Sequence, residues 1–346
     1  MTEEHVFTNP RRRTIVSPRA SRRLGWLVIG AIGVAFLAVP AVVRAPGQLV
    51  AGCAKWIVLA GALELFSILG FVVVFKLVFA PQRSWSKSVA AGLRAVGATT
   101  IVPAGGLLGP VIGARTAGSE HPSPAASARS AIAFALVTNV PEAVVVVAVG
   151  VTLWLGWLGG PSGAALTLLP AGGASVVLAA AWLVSRRWTP NQERPDARSS
   201  NRFAARLAVA IQTVPAGIRE GWQLMAAGNW KLVGAVGYWA FDNAALWAAF
   251  RAYGPAPPLS VVMMGYLVGS LATALPLPAG LGAVEGGLIG ALVLYGARPA
   301  PAAAAVLLYR GVTLLLPVML SAFGWALLAH PDGRLLGLRT RSRQHA

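Results

Sequence analysis

Pro276-Leu-Pro-Ala-Gly-Leu-Gly-Ala-Val-Glu285 interrupts an apolar stretch that runs from Leu259 to Tyr295, and Pro103-Ala-Gly-Gly-Leu-Leu-Gly-Pro110 interrupts another from Val89 to Ala114. Proline and glycine at such density leave backbone N–H and C=O groups without helical partners. In lipid those groups must be buried in protein or line a wet cavity. Arg83, Lys87 and Arg94 precede the first break, while Arg115, Glu120 and Arg129 follow it. Both flanks read as cytoplasmic, and a segment that leaves on the side it entered is a re-entrant hairpin. The second break, between the prolines Pro255, Pro257 and Pro258 and the next span, has the same form entered from the opposite face.

The rest of the chain sets the solvent for these hairpins. Of 346 residues 56% are hydrophobic and only 12% are charged, with 39 glycines and 24 prolines. A water-soluble domain could not hide that much apolar surface. Apolar runs of about 20 residues, the length that crosses a hydrocarbon core, recur throughout. They cover Leu24–Val43, Trp56–Phe79, about Ala131–Trp154, Gly163–Val184, about Lys231–Phe250 and Ala302–Leu328. The first is read as a retained span; a cleaved signal peptide competes with that reading, but the run is long and no clean small-x-small site follows. The expected fold class is all-α integral membrane, with about six transmembrane helices plus two re-entrant broken hairpins.

The net charge of +18 falls between the spans, not within them. Six arginines lie in Arg186–Arg206, others crowd residues 1–23, and Arg334, Arg339, Arg341 and Arg343 end the chain. This positive-inside pattern puts both termini and the central linker in the cytoplasm of a cell (plasma) membrane protein. Nucleic acid is excluded as a partner, since no basic-aromatic groove or recognition helix accompanies the charge. Lys76 is expected to snorkel toward the basic segment after its span, and Phe203–Ala226 to form short amphipathic helices on the membrane surface. The organisation is then a basic N-terminus (1–23), a first membrane half (24–184), a basic linker with amphipathic helices (185–228), a second half (229–330) and a basic tail (331–346).

The halves share more than hydropathy. Glu64 lies 39 residues before Pro103 and Asp242 lies 36 before Pro278; Gly105, Gly109 and Gly113 follow one break at four-residue spacing, and Gly282, Gly286 and Gly290 follow the other. Such ladders let helices approach closely, although any Gly-rich polytopic chain shows some of them. With the hairpins entered from opposite faces, the two units read as an inverted repeat, an architecture of transporters that sets a central site between the repeats.

Glu64, Glu142, Asp242 and Glu285, four of the eleven acids, lie in apolar segments together with Arg310. A charge there costs on the order of 3 kcal/mol or more and marks a pathway or relay unless it is a structural ion pair. Glu285 follows the second break and Arg310 sits beside Tyr309 on the next span. A guanidinium, planar and protonated even when partly buried, suits a lipid phosphate. Glu285 would orient it or carry a coupling proton, as would Asp242, Glu64 and Glu142. Helix N-termini at Pro278, Gly280 and Gly282 add backbone donors for an anion. Arg115 is a second candidate cation, equally readable as a positive-inside anchor, and Asn139, Asn243, Gln223 and Trp230 are weaker candidates. Gly280-Leu-Gly-Ala-Val-Glu-Gly286 imitates a dinucleotide fingerprint but misses its spacing by one. No Walker motif, nucleophile elbow or histidine-metal pair is present, and the lone Cys53 excludes a disulfide or cysteine cluster. No cofactor is expected.

Phe241-Asp-Asn-Ala-Ala-Leu-Trp-Ala-Ala-Phe-Arg-Ala-Tyr-Gly254, Leu277-Pro-Ala-Gly-Leu-Gly-Ala-Val-Glu285 and Leu307-Leu-Tyr-Arg310 together resemble the membrane region of the lysylphosphatidylglycerol synthase family and its stand-alone relatives. The resemblance spans roughly residues 24 to 330 and is weaker in the first half, where Pro110 follows the glycines and no acid matches Glu285. It implies lipid handling: in two-domain members this region is associated with flipping aminoacylated phosphatidylglycerol, while a soluble domain performs the transfer. The longest polar segment here is too short for such a domain, so synthase activity is not expected. The leading expectation is a translocase for an anionic phospholipid or polyprenyl-phosphate-linked lipid. A lipid-linked transferase and a non-transporting accessory subunit of lipid or cell-envelope synthesis are the alternatives. Membrane lipids are the expected partners, and a homo-oligomer or a lipid-synthesis enzyme is compatible with the small-residue ladders and the basic tail.

Overall fold

The computed structural model of the chain describes residues 53–102, 105–116, 123–187, 202–270 and 282–329. The expected first span (24–43), the residues at the tip of the second hairpin including Pro278 and Gly280, and the basic tail all lie outside them. The described residues are helical throughout, joined by turns. In chain order the helices are α1 (Ala54–Phe79), α2 (Trp85–Ile101), α3 (Gly105–Thr116), α4 (Pro124–Trp154), α5 (Ala164–Arg187), α6 (Arg202–Ala226), α7 (Val233–Ala252), α8 (Leu259–Ser270), α9 (Ala283–Leu294) and α10 (Pro299–Ala329).

Four of these, α1, α4, α5 and α10, are long and apolar enough to cross a membrane. Their surfaces carry large apolar side chains outward, with Val58, Phe66, Leu169, Val176 and Val177 all exposed by more than half. That is the surface expected when lipid is the solvent, and a patch of this extent would be a liability in water. The expected fifth span, α7, is 20 residues long but less uniformly apolar, because Asp242 and Asn243 interrupt it. It lies at the centre of the bundle, and α1 and α7 pack together most extensively of the described helix pairs.

The α1–α7 crossing is close because both helices present glycine there. A Cβ at Gly70 would stand 2.6 Å from the Gly234 carbonyl oxygen, and one at Gly234 would stand 2.8 Å from that of Gly70. The two helices run antiparallel: the Cys53 N–H donates to Ala252 O at 2.9 Å, the Trp56 and Trp247 rings meet edge-on at 5.8 Å, and the Ser67 hydroxyl donates to Tyr238 O at 2.9 Å. Each leads into a hairpin, α2–α3 or α8–α9. The packing pairs up on exchanging halves: α3 lies on α4 as α9 lies on α10, α4 touches α7 as α10 touches α1, and α2 lies on α10 as α8 lies on α4.

Several local expectations shift. Phe203–Ala226 is part of one helix, α6, not several short ones. Its later half packs along α4, where Gly217 and Gly221 leave room for Ile132 and Leu136 and Arg129 pairs with Glu220 at 2.9 Å. Lys76 does reach toward the basic segment after its span, but its ammonium ends on backbone carbonyls and a ring, not in solvent. It is 5% exposed, donates to the carbonyls of Ala80 and Arg83 and lies over the Trp85 ring, so it closes the carbonyl end of α1, where a cation is favoured. The glycine ladders also part company. Gly109 and Gly113 do face α2, where a Cβ at Gly113 would come within 2.6 Å of Ala91 O. Gly286 and Gly290 meet nothing within 4 Å among the described residues, and the close approach of the second hairpin uses Gly265 and Gly269 of α8 against Leu292 and Leu288.

Candidate functional site

Three acids from the two halves converge beside the α1–α7 crossing. Asp242 of α7 is half-buried and takes two tyrosine hydroxyls, Tyr266 of α8 on Oδ2 and Tyr309 of α10 on Oδ1 at 2.8 Å. The two rings meet edge-on, 6.4 Å apart. Glu64 of α1 lies within hydrogen-bonding reach of Asp242 and is 5% exposed. Its Oε2 is buried with no hydrogen-bond partner. Glu142 of α4 faces the same acid, near the Trp239 indole, and its Oε1 is likewise buried without a partner. Pro141 places Glu142 where α4 forgoes a backbone hydrogen bond, since proline has no N–H to donate to the preceding turn.

Next to this cluster stands an ion pair. Arg310 Nε donates to Glu285 Oε1 at 2.7 Å, and both side chains are 15% exposed. The other oxygen, Oε2, accepts from the Gly282 N–H at 2.6 Å. Glu285 is the third residue of α9, so its carboxylate reaches back over the first turn, satisfies an orphan donor and sits in the favourable field of the helix N-terminus. Gly282 has φ +84°, a conformation that side-chain-bearing residues adopt only under strain. The described end of the break, Gly282 to Glu285, is a cap built around one glycine and one carboxylate.

Tyr309 and Arg310 are neighbours on α10, so one helix turn links the ion pair to the acid cluster. Of the candidate residues, the structure brings together Glu64, Glu142, Asp242, Glu285, Gly282, Tyr309 and Arg310. Pro278 and Gly280 lie outside the described residues. Arg115 is exposed in the last turn of α3, with no described contact to the cluster. Among the weaker candidates, Asn139 donates to Ala135 O within its own helix at 2.7 Å. Trp230 is exposed and pairs with Trp85. Asn243 is 1% exposed, donating to Trp239 O at 3.3 Å.

Sequence reasoning missed Tyr266 and Trp239. Tyr266 lies 24 residues from the acid it binds, among apolar neighbours. The available signal was that a tyrosine buried in an apolar helix needs a partner for its hydroxyl. It also missed Arg94, read as a basic flank: it is 5% exposed, lies 4.0 Å from the Trp325 ring centroid and donates to Gly324 O and Trp325 O, both at 3.2 Å. No group of acids, histidines or cysteines among the described residues has the geometry of a metal site.

The lysylphosphatidylglycerol synthase TM region, as a family, matches residues 23–321. The chain belongs to that family and is a multi-pass membrane protein of lipid metabolism. No curated protein matches it.

Proposed function

We propose that this member of the family translocates a lipid with an anionic, phosphate-bearing headgroup, and that Arg310 receives the phosphate. The observation that carries the reading is the double engagement of Glu285, on Arg310 and on the Gly282 N–H. Those two donors are what a phosphate oxygen would seek: a guanidinium and a helix N-terminus. Without lipid, the protein's own carboxylate occupies them. A headgroup that displaces Glu285 exchanges one anion for another, so the buried guanidinium is never left without a counter-charge.

The antiparallel α1–α7 core supports alternating access, since it lets two units of opposite orientation expose one central site to either leaflet in turn. On this reading the basic segments are cytoplasmic, the membrane is the plasma membrane, and the boundaries drawn from the sequence divide two transporting halves. Arg115 then serves as an anchor, not as a second phosphate site.

The test is redistribution of fluorescent lipids in vesicles containing the purified protein, across neutral and anionic headgroups. Movement is expected to favour anionic headgroups, to vanish in Arg310→Ala and to fall in Glu285→Gln. An Arg310→Ala protein that moves lipid at the normal rate sinks the assignment.

A further inference from the structure

Three carboxyl groups, Glu64, Glu142 and Asp242, cluster beside the guanidinium of Arg310, which approaches Asp242 and is already engaged by a fourth, Glu285. The elements packed around the cluster supply Tyr238 from α7, Tyr266 from α8, and Tyr309 and Arg310 from α10. Arg94 of α2 is turned away onto Gly324 and Trp325. Ionising all the acids together would leave several uncompensated charges in an apolar setting, at several kcal/mol each. Two carboxyls that share a site avoid this by sharing a proton.

The hydrogen bonds indicate which acid keeps the negative charge. Asp242 accepts two tyrosine hydroxyls, as an anion does, while Glu64 accepts none and has a buried oxygen with no partner. We infer that Glu64 and Asp242, one from each half of the molecule, form a single-proton site in which Glu64 is the neutral acid and Asp242 its carboxylate acceptor. Half-buried Asp242 is the point of exchange with water, and buried Glu64 is the store. Separating α1 from α7 at this level breaks the hydrogen bond between the pair and admits water, which takes the proton from Glu64 and leaves two solvated carboxylates. As a coupling device the pair rests on the translocase reading above; as a protonated acid it does not.

Infrared spectroscopy of the protein in lipid reads the proton directly, through the carbonyl band of neutral carboxylic acids at neutral pH. Glu64→Gln, nearly isosteric, is expected to remove a component of that band that survives in Glu142→Gln and Glu285→Gln. Raising the pH of the wild type should bleach the same component. A band unchanged by Glu64→Gln overturns the inference even if lipid still moves. With the component present, wild-type lipid movement should respond to an imposed pH gradient and Glu64→Gln movement should not. A gradient response that persists in Glu64→Gln overturns the coupling role. The component without any lipid movement keeps the proton pair and sinks the translocase.

Discussion

The two helical hairpins, α2–α3 and α8–α9, are built from the same residue types but hold themselves together differently. In the first, the returning helix α3 supplies Gly109 and Gly113, which lie against Thr99 and Ala91 of α2. That hairpin is bound to α10 through Gly97 against Ser321 and through Arg94 on Gly324 and Trp325. In the second, the entering helix α8 supplies Gly265 and Gly269, while Gly286 and Gly290 of α9 meet nothing within 4 Å among the described residues. Its start carries the Glu285 cap and the link to Arg310. Under the proposed function the difference separates a strut from a site: one hairpin commits Gly97, Gly109 and Gly113 to fixation, while the other keeps a helix N-terminus and an acid beside Arg310.

The strongest way to break this comparison is Arg310→Ala. It leaves Glu285 as a buried carboxylate without its cation, a loss of about 3–5 kcal/mol for such pairs, and lipid movement should be abolished. Arg310→Lys should recover stability better than transport, because a point charge does not reproduce the planar donor set. Thermal unfolding in detergent beside vesicle assays separates the two effects.

A paired substitution sharpens the structural half of the contrast. Gly113→Val forces side-chain atoms into the α2 backbone and should cost about 1–3 kcal/mol, whereas Gly290→Val enters open space and should stay within about 0.5 kcal/mol. Equal melting shifts would mean that the ladders are equivalent after all. Gly282→Ala comes next: the φ of +84° penalises any Cβ, by about 1–3 kcal/mol, and should loosen the cap and slow transport together.

Arg94→Met keeps the apolar stem but loses two carbonyl bonds and the Trp325 contact, for about 1–2 kcal/mol. It should lower melting temperature without changing headgroup preference, since the proposed function assigns recognition to the second hairpin. The smallest expected effect is Arg115→Ala, within about 0.5 kcal/mol and with transport unchanged. A transport loss there would return the first hairpin to the list of binding elements.

The four long spans, α1, α4, α5 and α10, were readable because the backbone and its solvent dictate them. Lipid enforces helix length, and proline with glycine marks where the backbone must find other partners. Glu285 with Arg310 was readable because charge in an apolar run has few innocent explanations. Tyr266 was not, because a tyrosine in such a run resembles any other aromatic until its acid is seen. Arg94 was misread for a related reason: a basic residue near a span end suits the positive-inside pattern, and nothing in its spacing shows that carbonyls and a tryptophan ring await it. The ladder of Gly286 and Gly290 failed because four-residue spacing fixes a helix face but not what lies opposite it.

The contact between Gly70 and Gly234 has a mechanical meaning for the acids beside it. With no side chains between them, the two backbones touch and cannot come closer, so the crossing acts as a fulcrum. Glu64 is six residues from it along α1 and Asp242 is eight along α7, arms of roughly 9 and 12 Å at 1.5 Å per residue. A tilt of about 10° would open the gap at the acids by about 2 Å, enough to break a hydrogen bond between them, while the crossing itself stayed nearly still. Leverage of this kind means that bulk added at Gly70 or Gly234 would be felt first at Glu64 and Asp242.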